Sequence, residues 1–116
     1  MPIIDTSCII YLIKIGRLSL LRSLFSKISI TQEVLNEMEE GTGITELKEK
    51  INDWIFIEKK ENKNSIKQLS KEEEIEYTDA SLILLAKQKK DILVSNDSAL
   101  IKIGRIKGVE CWWLTS

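Results

Sequence analysis

The sequence predicts an α/β fold, a mainly parallel five-stranded sheet flanked by helices. Three observations predict it. Short apolar runs alternate with longer segments of helical periodicity along the whole chain. Polar residues suited to capping (Asp5, Thr31, Asp97) stand where strands give way to helices. The 116 residues show no internal repeat and no linker, so residues 1–116 are expected to form one domain. A chain of this length buries roughly two-thirds of its unfolded surface.

Taken in order, Pro2–Asp5 reads as a short buried strand, with proline tolerated at its start. "SCIIYLIKIGRL" has helical length and ends near Gly16 as a C-cap. "LSLLRSLF" continues as a second helix, with Leu18, Leu21, Leu24 and Phe25 on one face. "KISI" is the second strand, and Thr31 caps the helix "TQEVLNEMEE". "GTGITELKEKIND" opens on a Gly-rich turn and continues as an amphipathic helix into the third strand, "WIFIEK". Residues 59–65 are polar and loop-like, and "SIKQLSKEEEIEY" is charged and partly helical. "TDASLILLAKQKK" is a strong helix, acidic at its start and basic at its end, as the helix dipole favours. "DILVS" is the fourth strand, "NDSALIKIGRIKG" a helix closed by glycine, and "VECWWL" the fifth strand.

Composition narrows the chemistry. Seventeen basic and eighteen acidic side chains leave a net charge of −1, so no global basic footprint marks a nucleic-acid binder. Cys8 and Cys111 are far apart, form no CxxC, and read as small packed groups of a reduced, cytoplasmic protein. No apolar stretch reaches the roughly 18–20 residues of a membrane span. Histidine is absent, which excludes Ser-His-Asp and Cys-His nucleophile systems and the usual His-containing zinc sites. Any catalysis falls to carboxylates, lysines, hydroxyls or an oxygen-bound metal.

The carboxylates are placed for that role. In a parallel α/β sheet, the ends of strands and the starts of helices leading out of or running toward them meet at the carboxyl edge, where open sheets bind ligands. Asp5 ends the first strand, Asp97 follows the fourth, and Asp79 begins the helix leading into the fourth. Glu37 lies about six residues beyond Thr31, roughly 9 Å along its helix, and must lean in from the side; Glu33, one turn earlier, rivals it. Capping and the helix dipole alone account for aspartate at each of these positions, but caps need not converge on one edge. Two carboxylates about 4 Å apart repel by roughly 4 kcal/mol at an effective dielectric of 20. A cluster of them needs protons or a cation, and oxygen donors without histidine fit Mg²⁺ or Mn²⁺.

With these residues in place, the sequence resembles the PIN-domain ribonucleases, and among them a prokaryotic subgroup close to the toxins of VapC-type toxin–antitoxin pairs. "IIDTS", "ITQEVLNEME", "TDASLILLA" and "ILVSNDSAL" match the four motifs of that family in order. The resemblance implies a three-layer fold and an acidic quartet of Asp5, Glu37, Asp79 and Asp97 around one or two Mg²⁺ or Mn²⁺ ions. Asp5 and Asp97 would be the most direct ligands, Asp79 would bind or orient a second metal or the water, and Glu37 would act as a ligand or through water, with Thr6, Ser95 and Asn96 hydrogen-bonded behind them. It also implies endonucleolytic hydrolysis of single-stranded RNA or tRNA, leaving a 5′-phosphate and a 3′-hydroxyl, together with an antitoxin partner and a homodimer.

Lys102 and Arg105 share a face of the last helix and are candidate phosphate contacts, with Lys107, Lys14, Arg17 and Arg22 as further basic positions. Trp112 and Trp113 would point to opposite sides of a regular strand, leaving one exposed for a partner. The acidic "KEEEIEY" reads as a solvated face. Two other function classes compete. One is a catalytically silent PIN-like module that binds RNA or protein. The other is an acidic-site phosphotransfer protein, disfavoured because "IIDTS" lacks a second aspartate two residues after Asp5.

Overall fold

The computed structural model describes residues 1–41, 43–58 and 62–114. Five strands form one sheet: β1 (Ile3–Ile4), β2 (Ile28–Thr31), β3 (Ile55–Glu58), β4 (Leu93–Ser95) and β5 (Cys111–Trp113). Their order is β3-β2-β1-β4-β5 and every pairing is parallel, so the expected "mainly parallel" becomes wholly parallel. The register sets Ile4 beside Val94, Thr31 beside Glu58 and Ser95 beside Trp113, which gathers the strand ends along one edge.

Among the described residues seven helices surround the sheet: α1 (Thr6–Lys14), α2 (Ser19–Phe25), α3 (Gln32–Glu39), α4 (Ile44–Lys50), α5 (Lys63–Glu73), α6 (Tyr77–Lys89) and α7 (Ser98–Ile106). Successive strand residues face opposite sides of a sheet. Both Ile3 and Ile4 are fully buried, as are all four residues of β2, so helices cover both faces and the architecture has three layers. The core includes Ile9 and Leu12 of α1, Leu82, Ile83 and Leu85 of α6, and Leu100 and Ile101 of α7.

Predicted caps hold where they can be tested. Asp5 accepts from the Cys8 amide, Thr31 from the Val34 amide, and Asp97 from the Ala99 and Leu100 amides. Beyond α1, Gly16 takes a positive φ of 67°, the left-handed turn expected of it. Three expectations change. The α5 helix begins at Lys63 rather than in mid-loop, because Asn62 caps it by accepting from the Asn64 and Ser65 amides; residues 59–61 of the predicted loop lie outside the described residues. Leu24 faces solvent, and α2 buries Leu21 with Leu18 beside it instead. Trp112 and Trp113 are both exposed, because β5 is an edge strand.

The approach of α7 to β5 depends on Gly104. A Cβ there would meet Cys111 Sγ at 2.6 Å, with Ile83 and Leu93 closing the sides. Overpacking of this kind costs about 1–3 kcal/mol, partly offset by the helix propensity of alanine, about 1 kcal/mol. Gly104→Ala is therefore expected to melt lower by several degrees, about 1 kcal/mol net. Adding Cys111→Ala, which removes the obstructing sulfur, should recover part of that loss in the same thermal melt.

Candidate active site

The chain leaves β1 in one direction to build β2 and β3, then returns to β1's other side with β4 and proceeds outward to β5. The reversal lies between β1 and β4, and such a switch point opens a crevice at the carboxyl ends of the two strands. Asp5 follows β1 at that crevice, and the Ser95-Asn96-Asp97 segment leaves β4 beside it. The Asp5 amide itself donates to the Val94 carbonyl, 3.2 Å away.

Asp5 is buried, at 3 % exposure. Its carboxylate accepts from the Cys8 amide (2.9 Å), from the Ser7 hydroxyl at 3.0 Å to each oxygen, and from the Ser95 hydroxyl. Charge-assisted bonds of this kind fix the carboxylate's orientation. Ser95 also accepts from the Asp97 amide at 2.9 Å, so one hydroxyl joins the two aspartates that are farthest apart among the four in sequence. Thr6, the first residue of α1, donates to Glu37 Oε1 at 2.7 Å. That bond draws Glu37 sideways from α3 toward Asp5 and decides between the two glutamates: Glu37 lines the crevice and Glu33 does not.

The crevice is a recess of about 270 Å³ lined by Asp5, Thr6, Ser7, Ile10, Glu37, Glu76, Asp79 and Asp97. Five of these are carboxylates and none is basic. Asp79 carries the clearest electrostatic consequence. Its carboxyl is pushed up from the usual 3.8 to about 6, first by burial and then by the charges of Asp97, Glu76, Asp5 and Glu37. The four predicted acids thus converge, and two residues join them that sequence reading missed. Ser7 sits two residues beyond the capping Asp5. Glu76 precedes Asp79 by three, a spacing that sets the two side by side at the start of a helix.

Among the described residues, no three acidic side chains are already gathered closely enough to enclose a metal ion. The donor set therefore suits a hard, hydrated cation that keeps several waters and takes only one or two carboxylates directly. Burial and then Asp5 push the Cys8 thiol far above its ordinary range, so it does not serve as a free thiolate nucleophile.

The remaining predicted positions lie elsewhere. Asn96 Oδ1 accepts from the Leu114 amide at 3.1 Å, tying the end of β5 to β4. The Arg105 guanidinium donates to the Cys111 carbonyl at 2.9 Å, at the opposite edge of the sheet, and Lys107 pairs with Glu73 at 2.8 Å. Lys102 is exposed on α7. None of these basic residues lines the recess, so the phosphate contacts expected of Lys102 and Arg105 are not placed where the acids meet.

A family model described as "DUF3368: PIN domain" matches residues 1–112. The chain belongs to the PIN domain family. PIN domains are generally nucleases. Among solved structures, this PIN domain is similar to PAE2754 from Pyrobaculum aerophilum, at 15 % identity and a TM-score of 0.69 over 95 % of this chain and 82 % of that one. It is equally similar to VapBC2 from Rickettsia felis bound to a DNA fragment from their promoter, at 20 % identity and 0.69 over 97 % of both chains. At these identities the likeness establishes the fold. No curated protein sequence matches significantly.

Proposed function

We propose that this PIN domain is a Mg²⁺- or Mn²⁺-dependent endoribonuclease that hydrolyses single-stranded RNA, tRNA included. The observation that carries the reading is the recess itself: five carboxylates around one opening, with no cationic side chain to offset them. Asp5 and Asp97, joined through Ser95, are the residues that would hold the ion, with Glu37 alongside through Thr6. A divalent ion held there supplies an activated water and neutralises charge developing on the phosphate. In the hydrolysis the water oxygen forms the new bond to phosphorus and the bond to O3′ breaks, leaving a 5′-phosphate and a 3′-hydroxyl. Asp79, whose proton affinity is raised to near neutrality, would accept the proton of the attacking water at a carboxylate oxygen.

Ser95 acts by positioning. Replacing it with alanine removes the hydroxyl that orients Asp5 and receives the Asp97 amide. Ser95→Ala is expected to slow single-turnover cleavage by about 10- to 100-fold, as loss of an outer partner does at metal sites.

The likeness to VapBC2 supports an antitoxin partner, and the two exposed tryptophans on edge strand β5 offer a surface for that protein or for a second copy of this chain. Among the described residues no helix is long and apolar enough to cross a membrane. A second reading, a silent module that binds RNA or protein without turnover, is favoured by the loose spacing of the acids. Incubating the full chain with single-stranded RNAs and tRNA, in EDTA and in millimolar Mg²⁺ or Mn²⁺, separates the two. Metal-dependent fragments bearing 5′-phosphates support the nuclease. A metal-induced rise in melting temperature with intact RNA across the panel supports the silent module.

A further inference from the structure

Helix α6 carries Asp79 in its first turn, yet its own N-cap does not secure that turn. Glu76 occupies the cap position without a side-chain bond to the helix, whereas Asp5, Thr31, Asn62 and Asp97 each cap theirs. Glu76 lines the recess instead. The first amides of a helix have no partners within it, and uncapped ends fray. A side chain aimed at a metal needs firmer support than that.

The support is a row of buried hydroxyls behind the recess. Ser81 Oγ donates to the Thr78 carbonyl at 2.6 Å and lies 3.3 Å from Thr31 Oγ1. Thr31 Oγ1 also accepts from the Val34 amide at 3.2 Å. Thr31 and Ser81 are fully buried. Hydroxyl rotors turn to suit their partners, so a serine whose hydrogen goes to Thr78 still accepts from Thr31. The row thus runs from the first turn of α3 to the first turn of α6, two helices that pack together.

Both ends of the row touch turns that bear on the site. Glu37 stands one turn beyond Val34 on α3, and Thr78 and Ser81 bracket Asp79 on α6. A hydroxyl bonded back to a carbonyl of the preceding turn bends a helix. Here the bent turn is the one that carries Asp79.

We propose that Thr31 and Ser81 are positioning residues of the acidic recess: their buried hydroxyl contact holds the first turn of α6 against the start of α3 and so sets the spacing of Glu37 and Asp79 around the cation. The proposal rests on the ribonuclease reading and extends it to two side chains that do not line the recess. Ser29 supplies the control. It is fully buried two residues before Thr31, on the same face of β2, and its hydroxyl has no hydrogen-bond partner among the described residues. Removing that hydroxyl breaks no tie between helices.

The test measures Mn²⁺ binding and RNA cleavage side by side on the full chain, unsubstituted and as Ser81→Ala, Thr31→Val, Thr31→Ser and Ser29→Ala. Free Mn²⁺ is read from its solution EPR signal, which needs no RNA. Ser81→Ala and Thr31→Val are expected to weaken Mn²⁺ binding by about 5- to 10-fold and to slow cleavage comparably. That is less than the roughly 10- to 100-fold loss typical of groups bonded directly to a ligand. Thr31→Ser, which keeps the hydroxyl, and Ser29→Ala should match the unsubstituted protein. Thr31→Val also removes the cap of α3; Ser81→Ala leaves that cap in place and carries the test should the valine variant not fold. A role confined to stability would lower the melting temperature and leave Mn²⁺ affinity unchanged well below the midpoint, and that result for Ser81→Ala would overturn the proposal. An equal loss in Ser29→Ala would do the same. If the unsubstituted chain cleaves no RNA, the ribonuclease reading fails and the Mn²⁺ comparison alone decides this one. If it binds no Mn²⁺, both fall.

Discussion

On the proposed nuclease reading, Asp5→Asn is expected to lower RNA cleavage by on the order of 10³-fold, about 4 kcal/mol of transition-state stabilisation, while the fold persists. The two side chains have nearly the same shape, and the hydrogen-bonding around Asp5 tolerates the exchange. The asparagine carbonyl still accepts from the Cys8 amide, and the hydroxyls of Ser7 and Ser95 rotate to accept from its amide. What disappears is a buried negative charge at the switch point of the sheet. On the same reading that charge would attract the cation, and it is one of those that raise Asp79's proton affinity. The loss therefore falls on catalysis rather than on folding. Circular dichroism should be unchanged, and the acid limb of the pH–rate profile should move to lower pH in whatever activity remains. Asp5→Ala is a useful contrast, because it also removes the cap of α1 and adds about 1 kcal/mol of destabilisation. Cleavage by Asp5→Asn within tenfold of the unsubstituted protein would take Asp5 out of the reacting centre.

Much of the fold is legible in the sequence because the patterns that predict it are local. Ile-rich runs ended by Asp5 and Thr31 fix β1, α1, β2 and α3, since a capping side chain and a strand end are set by neighbouring residues. The errors arise where distant packing decides. Helix α5 has only Ile66 and Leu69 buried, so its apolar signal is weak and its polar start reads as loop. Leu24 fits the periodicity of α2, yet a seven-residue helix covers the sheet with less than a full face and leaves it 58 % exposed. Both tryptophans are bare because β5 is the sheet's last strand, which the sequence of β5 does not state.

The site divides along the same line. Asp5, Asp79 and Asp97 could be placed because parallel topology sends strand ends and helix starts to one edge. Glu37 could not be separated from Glu33 by spacing; a single bond from Thr6, 31 positions away, separates them. Glu76 lay hidden in a charge run, because the left-handed Glu74 at the end of α5 turns the chain and carries Glu76 to the recess. Arg105 had two plausible partners, a substrate phosphate or a strand carbonyl, and tertiary packing chose the carbonyl of Cys111.

In EDTA, raising the pH from 4 to 7 destabilises the protein, and Asp79→Asn removes most of that dependence. Asp79 in the folded chain releases its proton near 6, against an ordinary 3.8. Between those values the native state holds a proton that the unfolded state has lost, so stability falls as pH rises through the window and stays low above it. The full displacement corresponds to roughly 3 kcal/mol, and solvent screening of a half-buried group reduces it to about 1–2. For a domain of this size that is a drop of about 4–8 °C in melting temperature. Asparagine carries no charge at any of these pH values, so Asp79→Asn should melt higher than the unsubstituted protein at pH 7 in EDTA and show little slope. A divalent ion opposes the same repulsion. At a hundred times its Kd, Mg²⁺ adds about 2.7 kcal/mol to the unsubstituted protein. It should add less to Asp79→Asn, which has less repulsion to relieve. An identical pH slope in both proteins would mean that the carboxylates do not press on one another, and the acidic recess would lose its electrostatic basis.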